Sequence, residues 1–170
     1  MTAEAERNVV LIGMPWSGKS TVGVLLAKAL ARAFVDTDVV IQAAEGRRLQ
    51  EIIDRDGVEA MRAIEERHLC ALECRGNVIA TGGSVVYSER AMRHLKSGGC
   101  CVYLQAPFGV IQQRAVQADS RGLVRGPGQT LRDLYDERLP LYEWYADVTV
   151  ACGGLDHERT VAAIIECLPR

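Results

Sequence analysis

The stretch Gly13-Met14-Pro15-Trp16-Ser17-Gly18-Lys19-Ser20, followed by Thr21, specifies a chemistry more narrowly than any other part of the chain. It matches G-x-x-x-x-G-K-[ST], in which glycines let backbone N–H groups converge on phosphate oxygens. Lys19 would set a compact cation against the β- and γ-phosphates of a nucleotide, and Ser20 would offer its hydroxyl to Mg2+. A turn carrying a solvated lysine is the bland alternative, and the flanking residues speak against it. The unbroken apolar run Asn8–Ile12 feeds the motif and an amphipathic stretch leaves it. The loop therefore opens a helix N-terminus, which favours negative charge.

Further along, Asp36 and Asp38 stand two residues apart, and in an extended chain both carboxylates would point the same way. One could hold a metal-bound water while the other orients or deprotonates a hydroxyl; equally, Asp36-Thr37-Asp38 could be a helix cap. Gly82-Gly83 is either a plain turn or a place where backbone meets a ligand closely, which glycine allows for want of a Cβ. Spacing leaves both open. Arg62, Arg121, Arg125 and Arg138 carry guanidinium forks suited to carboxylate or phosphate. Each taken singly reads first as a solvated face, and the constellation changes that reading.

The elements that must position these residues alternate between strand-like and helix-like runs. Asn8–Ile12, Phe34–Val35, Asn77–Ala80, Cys100–Leu104 and Val148–Ala151 read as strands, the longer ones apolar enough to be covered on both faces. Helices are predicted over 21–34, 39–45, 49–56, 58–75, 88–96, 107–117 and 158–168. Thr130 caps a further one, with Asp133 at its third position. Residues 119–129 hold three glycines, a proline and two arginines, which predicts a mobile loop. Strands separated by helices indicate an α/β fold with a parallel sheet between two helical layers.

The 170 residues suit one domain, 1–170. With 48% hydrophobic and 25% charged residues the chain reads as soluble and globular, neither disordered nor membrane-embedded. A net charge of −2 argues against nucleic acid or an anionic membrane as partner, so any bound anion must be held by local groups. The first residues lack the apolar core of a signal peptide, and no apolar run approaches the ~18 residues that span a bilayer. A cytoplasmic location is expected. The six cysteines include no C-x-x-C pair, and they read as buried free thiols rather than a metal site. Cys100 and Cys101, being adjacent, should face opposite sides of a strand.

Taken in order, these motifs resemble those of the shikimate kinase family, from about residue 8 to 150. The phosphate loop is followed by the D-T-D of Asp36-Thr37-Asp38. Met61-Arg62-Ala63-Ile64-Glu65 then stands where the family has F-R-x-x-E, and Thr81-Gly82-Gly83-Ser84 where it has G-G-G. Arg121-Gly122-Leu123 resembles the lid's R-P-L, and Arg138-Leu139-Pro140-Leu141-Tyr142 matches R-x-P-L-Y. The resemblance implies a three-layer fold around a five-stranded parallel sheet of the nucleoside-monophosphate-kinase type, with a mobile lid over about 118–130. It implies transfer of the γ-phosphate of ATP, with Mg2+, to the 3-hydroxyl of shikimate, a small hydroxylated acid, by a protein expected to be a monomer. The acceptor would bind within about 38–66.

Carried onto matching positions, the resemblance gives Gly13, Trp16, Ser17, Gly18, Lys19, Ser20 and Thr21 to the nucleotide, with Arg114 packing on adenine. Asp36 would support the metal through water, and Asp38 would be the base. Arg62 and Arg138 would clamp the acceptor's carboxylate, Gly82 and Gly83 would lie against the acceptor, and Arg121 would reach the transferring phosphoryl. Ser84 and Gly122 depart from the family's pattern, as do Met61 and Ile53 where it has aromatic walls. All four bear on the acceptor and the lid. Two rival readings stand beside this one: a paralogous kinase with another hydroxy-acid acceptor, and a non-catalytic nucleotide-binding regulator.

Overall fold

In the computed structural model, which describes residues 7–117, 123–126 and 128–169, the N-terminal apolar run is strand β1 (Asn8–Ile12). Its residues divide by alternation between two cores, Val10 and Ile12 entering one and Val9 and Leu11 the other. That is why the run shows no polar period. Strands β2 (Phe34–Asp36), β3 (Val78–Ala80), β4 (Gly99–Gln105) and β5 (Val148–Ala151) complete a five-stranded sheet ordered β2-β3-β1-β4-β5. Every pairing is parallel. Cys101 enters the first core and Cys100 the second, as adjacency in a strand requires. Among the six free cysteines only Cys100, Cys101 and Cys152 are buried; Cys70 and Cys74 are partly covered and Cys167 is exposed.

Helices cover both faces. On one side lie α1 (Lys19–Leu30) and α8 (His157–Cys167), inserting Val22, Leu26, Val161 and Ile164. On the other, α5 (Glu89–Gly98), α6 (Phe108–Gln117) and α7 (Leu131–Tyr145) contribute Met92, Leu95, Ile111, Leu134 and Tyr142. A third, smaller core joins α2 (Thr37–Glu45), α3 (Leu49–Asp56) and α4 (Val58–Cys70) through Ile41, Ile52 and Met61, with Val124 packed among them. No helix is long and apolar enough to cross a membrane among the described residues.

Several boundaries differ from the sequence reading. Helix α1 ends at Leu30 rather than Phe34, because Ala31 turns left-handed (φ 53°) and its N–H bonds Ala27 and Lys28. Helix α4 stops at Cys70 rather than Arg75: Asn8 Nδ2 donates to the Cys74 carbonyl and Asn8 Oδ1 accepts from Asn77 N, holding that stretch as the turn into β3. A short 3-10 turn, Val85–Tyr87, lies ahead of α5 and was not expected. The capping box at Thr130 and Asp133 is present as read. Of the loop predicted over 119–129, residues 119–122 and 127 lie outside the described residues, while Leu123 and Val124 tuck inward.

Candidate active site

Register fixes where the motifs meet. Ala80 of β3 pairs with Leu11 of β1 on one side and Asp36 of β2 on the other. Two residues beyond that level, at the C-terminal edge of the sheet, come Gly13, Gly82 and Asp38. This edge, at the strand around which the order reverses, is where α/β sheets bind ligands. A cleft of about 500 Å3 opens there. Trp16, Gly18, Lys19, Ser20, Thr21, Asp38, Gly82, Gly83, Arg114 and Arg138 all line it, brought together from the loop after β1, the turn after β3, and helices α1, α2, α6 and α7.

The phosphate loop has the backbone its glycines allow. Gly13 lies at φ 144°, with the Leu104 carbonyl only 2.9 Å from where a Cβ would stand, and Gly18 at φ 99° caps α1. Lys19 is 8% exposed and donates to the carbonyls of Gly13 and Met14, each at 2.8 Å. Arg114 Nη1 donates to the Trp16 carbonyl at 2.9 Å, fixing the middle of the loop. Ser17, buried with its hydroxyl unpaired among the described residues, and Gly13 belong to the loop without lining the cleft.

Asp36 and Asp38 do not stand side by side on an extended chain, because α2 begins at Thr37 instead of Val39. Asp36 is the N-cap, its Oδ1 accepting from Asp38 N (3.0 Å) and Val39 N (3.4 Å). Asp38 sits in the first helical turn and faces the cleft, which Asp36 does not line. Both readings of D-T-D therefore hold in part: the first carboxylate caps and the second enters the site.

Gly82 and Gly83 answer to crowding. A Cβ on Gly82 would stand 2.5 Å from Glu65 Oε1 and 2.9 Å from Asp38 Oδ1, and one on Gly83 would stand 2.9 Å from Arg138 Nη1. Gly82 N–H donates to Thr37 Oγ1 at 3.2 Å, tying the β3 turn to the start of α2. The backbone thus comes close to the site's own charged side chains.

Arg138 is 1% exposed, and its guanidinium donates to the Tyr87 hydroxyl (3.1 Å) and the Val124 carbonyl. Arg62 bonds Glu59 at 3.2 Å and lines a neighbouring cleft with Trp16, Ile53, Leu123 and Arg125. The ring of Tyr87 joins the two arginines, with the Arg62 guanidinium 4.3 Å and the Arg138 guanidinium 5.1 Å from its centroid. Arg121 and Gly122 lie outside the described residues.

Glu65, not singled out from the sequence beyond its place in the matched motif, is 4% exposed and lines the cleft. Ser84 Oγ donates to its Oε2 at 2.6 Å. Burial raises its carboxyl to about 7, the Ser84 bond opposes this, and the charge of Asp38 adds to it against Arg138 and Arg62. Tyr87 and His157 were missed as well. Tyr87 acts only through the folded arrangement, and His157 opens α8 and comes within reach of Gly18 across the cleft rim. No local signal marks either.

The cleft sets the phosphate loop and Lys19 beside Asp38 and Arg138, with Arg62 in the neighbouring cleft, so cationic groups face it from two sides. The family model described as "Shikimate kinase" matches residues 15–169. A shikimate kinase of Thermodesulfovibrio yellowstonii is 39% identical over 163 residues, covering 94% of both chains. A solved shikimate kinase from Acinetobacter baumannii, in complex with shikimate, superposes with a TM-score of 0.86 at 30% identity over 96% of this chain and 93% of that one. Another, from Aquifex aeolicus, gives 0.76 at 32% identity over 95% of each.

Proposed function

The chain belongs to the shikimate kinase family, and from that premise we propose that it transfers the γ-phosphate of ATP to the 3-hydroxyl of shikimate, a step of aromatic amino-acid biosynthesis. The observation that carries this reading is the convergence of Lys19, Asp38 and Arg138 on one cleft of about 500 Å3. A nucleotide-binding regulator would need the first of these and not the other two.

The loop's N–H groups from Trp16 to Thr21 would receive the phosphates, and Lys19 would exchange the carbonyls of Gly13 and Met14 for β- and γ-oxygens. The residues fit Mg2+: Ser20 lines the cleft beside Lys19 and would offer its hydroxyl, and Asp36, outside the lining, would reach the ion through water with the oxygen that does not cap α2. Bound there, Mg2+ offsets charge on the β- and γ-phosphates. Arg114, already seated on the loop, would flank the adenine.

Arg62 and Arg138 would clamp the acceptor's carboxylate, and Gly82-Gly83 would lie against its ring. Asp38 would accept the proton of the hydroxyl whose oxygen attacks the γ-phosphorus, while the bond to the β–γ bridging oxygen breaks and ADP leaves. Residues 38–66 would form most of the acceptor face. The segment 118–130 would close as a lid, bringing Arg121 to the transferring phosphoryl and excluding water that would otherwise hydrolyse ATP. We assign the enzyme to the cytoplasm as a monomer.

Coupled ADP release at saturating MgATP with shikimate, quinate and a neutral polyol tests the proposal. Turnover with shikimate is expected and turnover with the polyol is not. Activity confined to another hydroxy acid would make the chain a paralogous kinase, and preference for the polyol would mean that the arginines form no carboxylate clamp.

A further inference from the structure

Two nitrogen donors beside the site are buried and unpaired among the described residues, the indole Nε1 of Trp16 and the Nε of Arg62. Both residues line the second cleft, with Ile53. Trp16 also lines the first, with Met61, Asp38, Gly83 and Arg138. Its backbone is left-handed at φ 64°, a region that costs a bulky side chain, and Arg114 holds its carbonyl there. Strain of this kind persists where the surroundings over-determine it, and such places are commonly functional. An unpaired buried donor in the same residue asks for the same kind of explanation.

Ile53 lines the second cleft and Met61 the first, and both are apolar but carry no ring. Trp16 brings a ring onto the clefts those two residues line, from the phosphate loop. Its N–H is a donor only, so an oxygen must pair it.

We propose that Trp16 is an acceptor-binding residue, its indole serving as an aromatic wall beside the ringless Ile53 and Met61 and its Nε1–H donating to an oxygen of the hydroxy acid. This rests on the reading of the acceptor as a shikimate-like carboxylic acid. The loop's backbone still serves the phosphates, and the side chain serves the other substrate. Trp16 thereby couples the two halves of the reaction through one residue.

The chain has two tryptophans, and Trp144 is 80% exposed on α7, so a Trp144→Phe protein isolates the Trp16 indole resonance. Shikimate alone should move that 1H–15N resonance downfield, and MgADP alone should move it less. Trp16→Phe keeps a ring and loses the donor. It should raise KM for shikimate roughly tenfold, the scale of one hydrogen bond to a charged group, and leave KM for MgATP within about twofold. Trp16→Gly should raise it further. A resonance unmoved by shikimate, or moved more by MgADP, overturns the proposal, as does a Trp16→Phe protein impaired only toward MgATP. The resonance experiment retains Trp16 and decides even where the Trp16 variants fold poorly. Absence of any wild-type turnover with shikimate would instead overturn the proposed function. Wild-type turnover beside a silent indole overturns this inference alone.

Discussion

The ε-ammonium of Lys19 lies 2.8 Å from the carbonyls of Gly13 and Met14, so the charge that would meet phosphate is already held at the mouth of the loop. Lys19→Ala removes that charge and, with it, one donor to each of two loop carbonyls. The fold should survive, with an unchanged far-UV spectrum, and kcat/KM should fall by roughly 10²-fold or more, the scale of one preorganised transition-state contact. Glu65 presents the opposite case, a charge that the fold resists. Its carboxyl is raised from 4.5 to about 7, chiefly by burial, so the folded protein holds that proton more tightly than the unfolded chain. Stability from this group is therefore present at low pH, falls as pH rises from about 4.5 to about 7, and is flat above. Glu65→Gln keeps the shape and an oxygen for the Ser84 hydroxyl but cannot ionise. Its Tm relative to wild type should be higher at about pH 8 than at about pH 5, read by calorimetry at both. A difference that does not change with pH would show that Glu65 is paired as well when charged as when neutral.

At the scale of elements, the site is a consequence of register: Leu11 of β1, Ala80 of β3 and Asp36 of β2 lie level, and two residues beyond each comes a motif. The strands and the phosphate loop were legible in the sequence because their signals are local, short apolar runs and, after β1, the glycine that opens the loop. The start of α2 was not. Asp36 can serve an extended chain or cap a helix, and the choice for the cap depends on Gly82 N–H bonding Thr37, a contact across 45 positions. The glycines of that turn and of the α2 terminus separate function from stability. Gly82→Ala would drive a Cβ into Glu65 Oε1 and Asp38 Oδ1, at 2.5 and 2.9 Å. Because those carboxylates must move, kcat should fall at least tenfold, the sensitivity expected when a catalytic group shifts by a fraction of an ångström to an ångström. Gly46→Ala, at φ 63° with nothing within 4 Å of the added Cβ, meets only backbone strain. It should cost about 1 kcal/mol of stability and leave kcat unchanged. Parallel denaturation and steady-state measurements on the two variants check the contrast, and an active Gly82→Ala would show that Asp38 can reposition freely.

Over the whole molecule, a chain of net charge −2 gathers Lys19, Arg114 and Arg138 around one cleft, with Arg62 beside it. That concentration could not be read from composition. The arginines looked interchangeable with solvated ones in the sequence, since what distinguishes Arg138 is its burial against the Tyr87 ring and the Val124 carbonyl, a tertiary fact. Arg138 is 1% exposed, its bonded partners Tyr87 OH and the Val124 carbonyl are neutral, and it makes no ion pair among the described residues. The acidic group that interacts with it, Glu65, is itself held up to about 7 by burial, so the buried cation is only partly compensated and a ligand carboxylate would complete the pairing. Acceptor binding should therefore stabilise the whole fold in a charge-dependent way. At a shikimate concentration about 100 times its Kd the gain should be about 2.7 kcal/mol, visible as a rise in Tm. A neutral polyol of the same size should give no comparable rise. Because the pair forms out of water, added salt should weaken the shift far less than it weakens a surface ion pair. Arg138→Met keeps the bulk of the side chain and removes the charge, so it should abolish the shikimate-dependent rise. Thermal unfolding of both proteins with shikimate, the polyol and neither reads out every arm. An equal rise with the polyol, or a shift retained in Arg138→Met, would mean that shape and hydroxyl contacts, rather than the carboxylate, hold the acceptor.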